Sequence, residues 1–267
     1  MPYEAHPQLI IPDELNTKIW RYMNFTKFVS MLEHEALYFS RLDVFAEKDP
    51  YEGLYTNANV RLYDIEYTDV PEEIWRAKGI EDEKTWNMIR GVQASSRDFH
   101  RMQREMSFAN SWNLSEAESA AMWPLYVDGT EGIAVQSTVG RLINSIKDYE
   151  EFNVFIGEVQ YLDYNAEMIP EGQSLFPLMS KRKSFEHERE LRALIWTLQH
   201  GKNSINENRY ADVKGITVPV DLNELIDRIY VAPASPIWFE ELVTSVMKRY
   251  QLSKETIQSD LLSDPLY

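Results

Sequence analysis

Seven residues, Glu186 to Arg192, hold three glutamates and two arginines, just ahead of the apolar Leu194-Ile195-Trp196. That charge density beside a core strand demands partners, because an unpaired buried charge is strongly destabilising. If a strand starts at Glu190, alternation sends Leu191, Ala193 and Ile195 to the core. Glu190 and Arg192 then face the other way, beside Leu194 and Trp196. The same rule in 18–23 separates Ile19, Arg21 and Met23 from Trp20 and Tyr22, and in 36–40 it separates Leu37 and Phe39 from Tyr38 and Ser40. Three strands thus offer Arg21, Tyr38 with Ser40, and Glu190 with Arg192. A polar floor of this kind suits a cleft for a small molecule or nucleotide. Trp196, on the face of Glu190, is the first ring expected to stack on a ligand. The structural alternative is an ion pair, Arg21–Glu190 or Arg192–Glu188. On either reading Glu190 and Arg192 are expected to be buried and paired, with Arg21 as the expected cross-strand partner.

Other residues offer weaker chemistry. Asp43, Asp49 and Glu52 lie in the loop 41–53 and are numerous enough for Mg²⁺ or Ca²⁺, as in a metal-dependent nuclease. Pro50 and Gly53 read more simply as a turn, with Glu52 accepting from backbone amides, so no metal site is assigned. The five histidines are His6, His34, His100, His187 and His200. None makes a zinc-hydrolase pattern. His187, between Glu186 and Glu188, has the position of a general base, but a surface or ion-paired role is the simpler one. There is no nucleophile elbow, phosphate-binding Gly-rich loop or dinucleotide fingerprint.

The elements that must position these residues follow from periodicity and punctuation. Strands are expected at 18–23, 36–40, 107–112, 132–137, 153–163, 190–197, 215–220 and 227–232. Asn24 caps a helix with Phe25, Phe28, Val29 and Leu32 on one face. A long helix spans 83–106, interrupted near Gly91. Ser115 and Glu118 form a capping box for a helix through Trp123 and Tyr126. Further helices cover 139–148 and part of 171–187. Asp221 caps a single turn, and Ser235-Pro236 opens a helix to Tyr250. Strands and helices intersperse without strict alternation, which predicts an α+β single domain with a central mixed, mostly antiparallel sheet and helices packed around it. Residues 1–17 form an N-terminal arm, 18–250 the core and 251–267 a C-terminal segment.

Composition sets limits. The chain has 267 residues and no cysteine, which removes disulfides, thiolate nucleophiles and cysteine-ligated metals. The formal charge of −16 opposes duplex nucleic acid binding, which rests on phosphate neutralisation. The patches Arg97-Arg101-Arg104 and Lys181-Arg182-Lys183 read as a solvated face or linker. The aromatic clusters read as core packing. No signal peptide and no apolar run of membrane-spanning length is seen, so the expected location is cytoplasmic, away from the membrane.

Five ordered segments resemble a bacterial domain-of-unknown-function family, number 2971. They are Ile19-Trp20-Arg21-Tyr22; Leu37-Tyr38-Phe39-Ser40 with Asp49-Pro50-Tyr51-Glu52-Gly53; Ser111-Trp112 and Trp123-Pro124-Leu125-Tyr126 leading into Gly132-Ile133-Ala134-Val135; Lys183 to Arg192; and Ile229-Tyr230-Val231-Ala232-Pro233. Lys48 stands where that family usually has Asn, and Phe185 where it commonly has Trp. The polar layout is also similar to that of ADP-ribosyltransferases, with Glu188-Arg189-Glu190 matching their Glu-x-Glu element. That likeness implies NAD as substrate. Arg21 would clamp the pyrophosphate, Tyr38 or Ser40 the ribose, and Glu190, with Glu188 in reserve, would steady the oxocarbenium-like charge. It also implies a toxin or phage-defence setting. The alternative is a non-catalytic module that binds a ligand or a protein partner.

Overall fold

A computed structural model describes residues 3–146, 148–170, 172–197 and 212–265. In chain order it contains β1 (Lys18–Asn24), α1 (Phe25–His34), β2 (Ala36–Arg41), α2 (Asn57–Leu62), α3 (Glu72–Ala77), α4 (Glu83–Glu105) and β3 (Ser107–Leu114). Next come α5 (Met122–Tyr126), β4 (Gly132–Thr138), α6 (Val139–Ser145), β5 (Phe155–Glu158), β6 (Gln160–Leu162), β7 (Ser180–Arg182) and β8 (Glu190–Trp196). The chain closes with β9 (Gly215–Pro219), α7 (Leu222–Leu225), β10 (Arg228–Val231), α8 (Ile237–Arg249) and β11 (Glu255–Gln258). The result is one α+β domain with a mixed, mostly antiparallel sheet.

Among the described residues the main sheet runs β11-β10-β4-β1-β3-β2-β9, with β8 joined to β3 and β5 to β8. Period-two strands bury one face under helices α1, α6 and α8. Ile19, Leu37, Phe39, Trp112, Leu191, Ala193 and Ile195 lie in that core, as alternation requires. Asn24 caps α1 through its side chain, accepting from the Lys27 N–H at 3.0 Å, and Asp221 caps α7 in the same way. The α1 face is Phe28, Met31 and Leu32 rather than Val29.

Several local expectations differ from the fold. Ser115 is no cap: its carbonyl accepts the Trp20 indole N–H at 2.7 Å, and the helix starts later, at Met122. Helix α8 is capped at Pro236, not Ser235, whose hydroxyl donates to the Thr130 carbonyl. The stretch 153–163 divides into β5 and β6, which belong to different sheets. The 171–187 region holds two 3₁₀ turns around β7 rather than an α-helix.

Helix α4 runs unbroken through Gly91. A Cβ added there meets nothing within 4 Å. Gly91→Ala is therefore expected to stabilise the protein by about 0.5–1 kcal/mol, the helix-interior cost of glycine. A urea midpoint that does not rise would contradict this.

Candidate functional site

Strand β3 makes a full ladder with β8 on one edge, from Ser107–Trp196 to Asn113–Glu190. Its other edge is shared. Strand β1 pairs with it only at Ile19–Leu114 and Trp20–Asn113, and β2 only at Ser40–Ala109 and Arg41–Phe108. Between those contacts the sheet opens. Backbone carbonyls of β2 and β3 along the opening are met by side chains instead, since buried backbone groups must be paired. Asn110 donates to the Tyr38 carbonyl at 2.9 Å, and Arg21 donates to the Ser111 carbonyl at 2.7 Å.

A cleft of about 540 Å³ lies over this opening, a volume in the range of small-molecule sites. Arg21, Tyr38, Ser40, Glu188 and Glu190 all line it. Strand alternation alone would seat Arg21 with Ile19 and Met23. The divergence of β1 from β3 is what gives it access to the cleft. Its guanidinium carbon sits 5.9 Å from the Trp112 ring. Burial lowers its pKa to about 10, against the raising influence of Tyr126 and Glu190, so it stays cationic at neutral pH. Among the described residues Arg21 makes one hydrogen bond and has no carboxylate at ion-pair distance.

Glu190 is very different. Its carboxylate accepts from the Ser111 hydroxyl at 2.5 Å, from Arg192 Nε at 2.7 Å and Nη2 at 3.1 Å, and from Lys181 Nζ at 2.7 Å. Burial pushes this carboxyl up, but Arg192 and Lys181 outweigh it and hold it well below the usual carboxylate range. Arg192 has no solvent exposure. Besides Glu190 it donates to Glu52 Oε1 at 2.6 Å and to the Leu178 carbonyl at 2.5 Å. Lys181 also touches Glu188 at 2.5 Å and Glu52 at 3.7 Å. Arg189 takes a left-handed conformation, φ 39°, which turns the chain out of the 3₁₀ turn into β8.

The expected burial and pairing of Glu190 and Arg192 are both present, but the cross-strand partner is not Arg21. It is Glu52, with Lys181 from β7. Glu52 accordingly binds a guanidinium, not backbone amides. Arg192 lies behind the cleft wall and has no access to a ligand. Trp196 does not line the cleft; it packs against the buried cluster that holds Leu42, Phe155, Leu178 and Leu194. The exposed tyrosine rings that line it are Tyr38 and Tyr126, with Lys48 Nζ 5.4 Å from the Tyr126 ring. His187 is exposed and not part of the lining, and His200 lies outside the described residues.

The basic patches hold in part: Arg97, Arg101 and Lys183 are exposed, as a solvated face requires, but three of their neighbours are not. Lys181 is inside the acidic cluster, and Arg182 pairs with Asp49 at 2.8 Å. Arg104 donates to the carbonyls of Pro50 and Glu52, fastening the 41–53 loop. The three loop carboxylates face three different cations: Asp43 faces Arg41, Asp49 faces Arg182 and Glu52 faces Arg192. Among the described residues no three His, Cys, Asp or Glu are grouped to hold a metal. Lys181 and Glu52 were missed as site residues because a basic triplet and a Pro-Gly turn carry no sign of what they face. The one usable signal was that Glu188, Glu190 and Arg192 lacked a neutralising set nearby in the chain.

No family model matches this chain, and neither does any curated protein or solved structure. Among the described residues no helix is long and apolar enough to cross a membrane.

Proposed function

We propose that the cleft binds an anionic, ring-bearing small molecule of the nucleotide class. Arg21 anchors the anion, and Tyr38 and Tyr126 flank the ring. One observation carries this reading: a cleft-lining guanidinium with, among the described residues, a single backbone hydrogen bond and no carboxylate partner, in a chain of charge −16. Arg192 and Lys181 are neutralised by Glu52, Glu188 and Glu190, whereas Arg21, like the lining residues Lys27 and Lys48, has no carboxylate at ion-pair distance among the described residues; of these three it is the guanidinium, able to hold an anion with two hydrogen bonds.

The second reading is NAD-dependent transfer of the ADP-ribosyl type. It is supported by the shared lining of Arg21, Tyr38, Ser40, Glu188 and Glu190. Glu190 is poorly placed as its general base, because every oxygen contact is spent on Ser111, Arg192 and Lys181. Glu188, with one cation partner, is the carboxylate this reading uses. The likeness to family 2971, a cytoplasmic location and a phage-defence setting belong with this proposal as analogy.

Calorimetric titration with NAD and ADP-ribose tests it. Arg21→Gln is expected to weaken binding about 10–100-fold, the worth of hydrogen bonds to a charged group. Absence of wild-type binding at about 5 mM, a concentration that would detect even millimolar affinity, removes the binding reading. Nicotinamide release that is lost in Glu188→Gln supports the transfer reading; no release from the wild type removes it.

A further inference from the structure

Helix α4 carries an exposed apolar stripe that the cleft does not use. Met88 is 65% exposed, Val92 60%, Phe99 40% and Met102 37%. They are four, seven and three residues apart. At about 100° per residue these positions fall within a sector of about 80°, the seam of a coiled coil. The helix is fastened by the side that adjoins this stripe beyond Val92. Trp86 donates to the Ile65 carbonyl at 2.8 Å and packs against Trp75, and Gln103 donates to the Ser174 carbonyl at 2.6 Å.

We propose that α4 pairs antiparallel with α4 of a second copy of this chain, along this stripe, to form a two-fold dimer. The charges beside the seam choose the occupant and the direction. On the side away from the protein body the flanking positions are Lys84, Gly91, Asp98 and Glu105. In an antiparallel pair like flanks meet. With Met88 across from the second copy's Phe99, Lys84 faces the second copy's Glu105 and Asp98 faces its Gly91. Two-fold symmetry makes each contact twice. Sliding the helices by one heptad one way sets Asp98 against the second copy's Asp98, a like-charge contact; sliding them the other way sets Lys84 against Asp98 but carries Glu105 past the end of the second copy's helix, so only the stated register pairs both terminal charges over the full helix. A parallel pair sets Lys84 against Ile89 and Asp98 against Gln103, with no charge complement. Among the described residues neither Lys84 nor Glu105 has an ion pair within the chain, and both are exposed.

Sedimentation equilibrium of the full chain tests this. The wild type is expected to be a dimer, and Met88→Glu with Val92→Glu a monomer with an unchanged circular dichroism spectrum. Lys84→Glu alone is expected to weaken dimerisation about tenfold, from two repulsive contacts, and adding Glu105→Lys to restore it. These exposed charge changes keep the test valid if the double glutamate variant misfolds. A wild-type monomer up to about 100 µM, where a weak specific dimer is still populated, overturns the proposal. So does a dimer indifferent to the seam substitutions, or a double charge swap no stronger than Lys84→Glu.

Discussion

Arg192→Met is expected to unfold the protein or lower its stability by about 3–5 kcal/mol, the cost of removing one partner from a buried charge pair. Arg192 has no solvent exposure and touches Glu190, Glu52 and the Leu178 carbonyl at once. Without it, two buried carboxylates keep Lys181 as their one cation among the described residues, and Glu188 already engages it; Glu190 retains the Ser111 hydroxyl besides. Methionine fills much of the volume, so the loss measures electrostatics rather than a cavity. Arg192→Lys is expected to recover only part, since an ammonium cannot reproduce the planar fork. Urea unfolding monitored by far-UV circular dichroism reads both. A methionine variant within about 0.5 kcal/mol of wild type, the size of an ordinary surface substitution, would contradict the assigned role.

Glu190→Gln is expected to cost more at pH 7 than Glu52→Gln, although both carboxylates are buried against Arg192. Glu190 is held below its ordinary value once Arg192 and Lys181 offset burial, whereas burial raises the Glu52 carboxyl despite the same two cations. The signs differ. Glu190, with a depressed folded pKa, contributes stability that is fully present above its unfolded value near 4.5 and is lost as pH falls through the folded one. Glu52, with a raised folded pKa, is less costly to neutralise, and the stability linked to its protonation is fully present below the unfolded value near 4.5 and is lost as pH rises through the folded one. The gap between wild type and Glu190→Gln should therefore be about 3–5 kcal/mol at neutral pH and shrink only below about pH 4.5. The gap for Glu52→Gln should be smaller at pH 7 and widen as pH falls through the raised folded value, because the protonated wild type is the more stable form. Urea midpoints of the three proteins at pH 7, 5 and 3 decide it. An equal or larger loss from Glu52→Gln at pH 7 would reverse the assignment.

Much of this molecule was legible locally. Period-two patterns placed β1, β2 and β8 and gave the correct face to Leu191, Ala193, Ile195, Tyr38 and Ser40, because side-chain direction follows from strand geometry alone. Asn24 and Asp221 were readable as caps, since their side chains reach amides two or three residues on. The dense charge of 186–192 announced buried pairing. Strand β11 was not legible: Glu255–Gln258 has little apolar signal, and it exists because α8 returns the chain parallel to the edge of β10.

The partners of the buried charges were decided by tertiary structure. Glu52 lies 140 residues from Arg192, and Coulomb attraction has no sequence code that selects it from the other carboxylates. Lys181 looked solvated until β6 and β7 paired and brought it between Glu188 and Glu190. Arg21 lines the cleft, though not for the reason that alternation offers. Alternation turns it toward the core, and it reaches the cleft because β1 and β2 share one edge of β3 and leave an opening. The sequence of a single strand determines which face each side chain takes. Where a sheet opens, and which distant charge closes against a buried one, depends on strand order and on the requirement that every buried polar group find a partner.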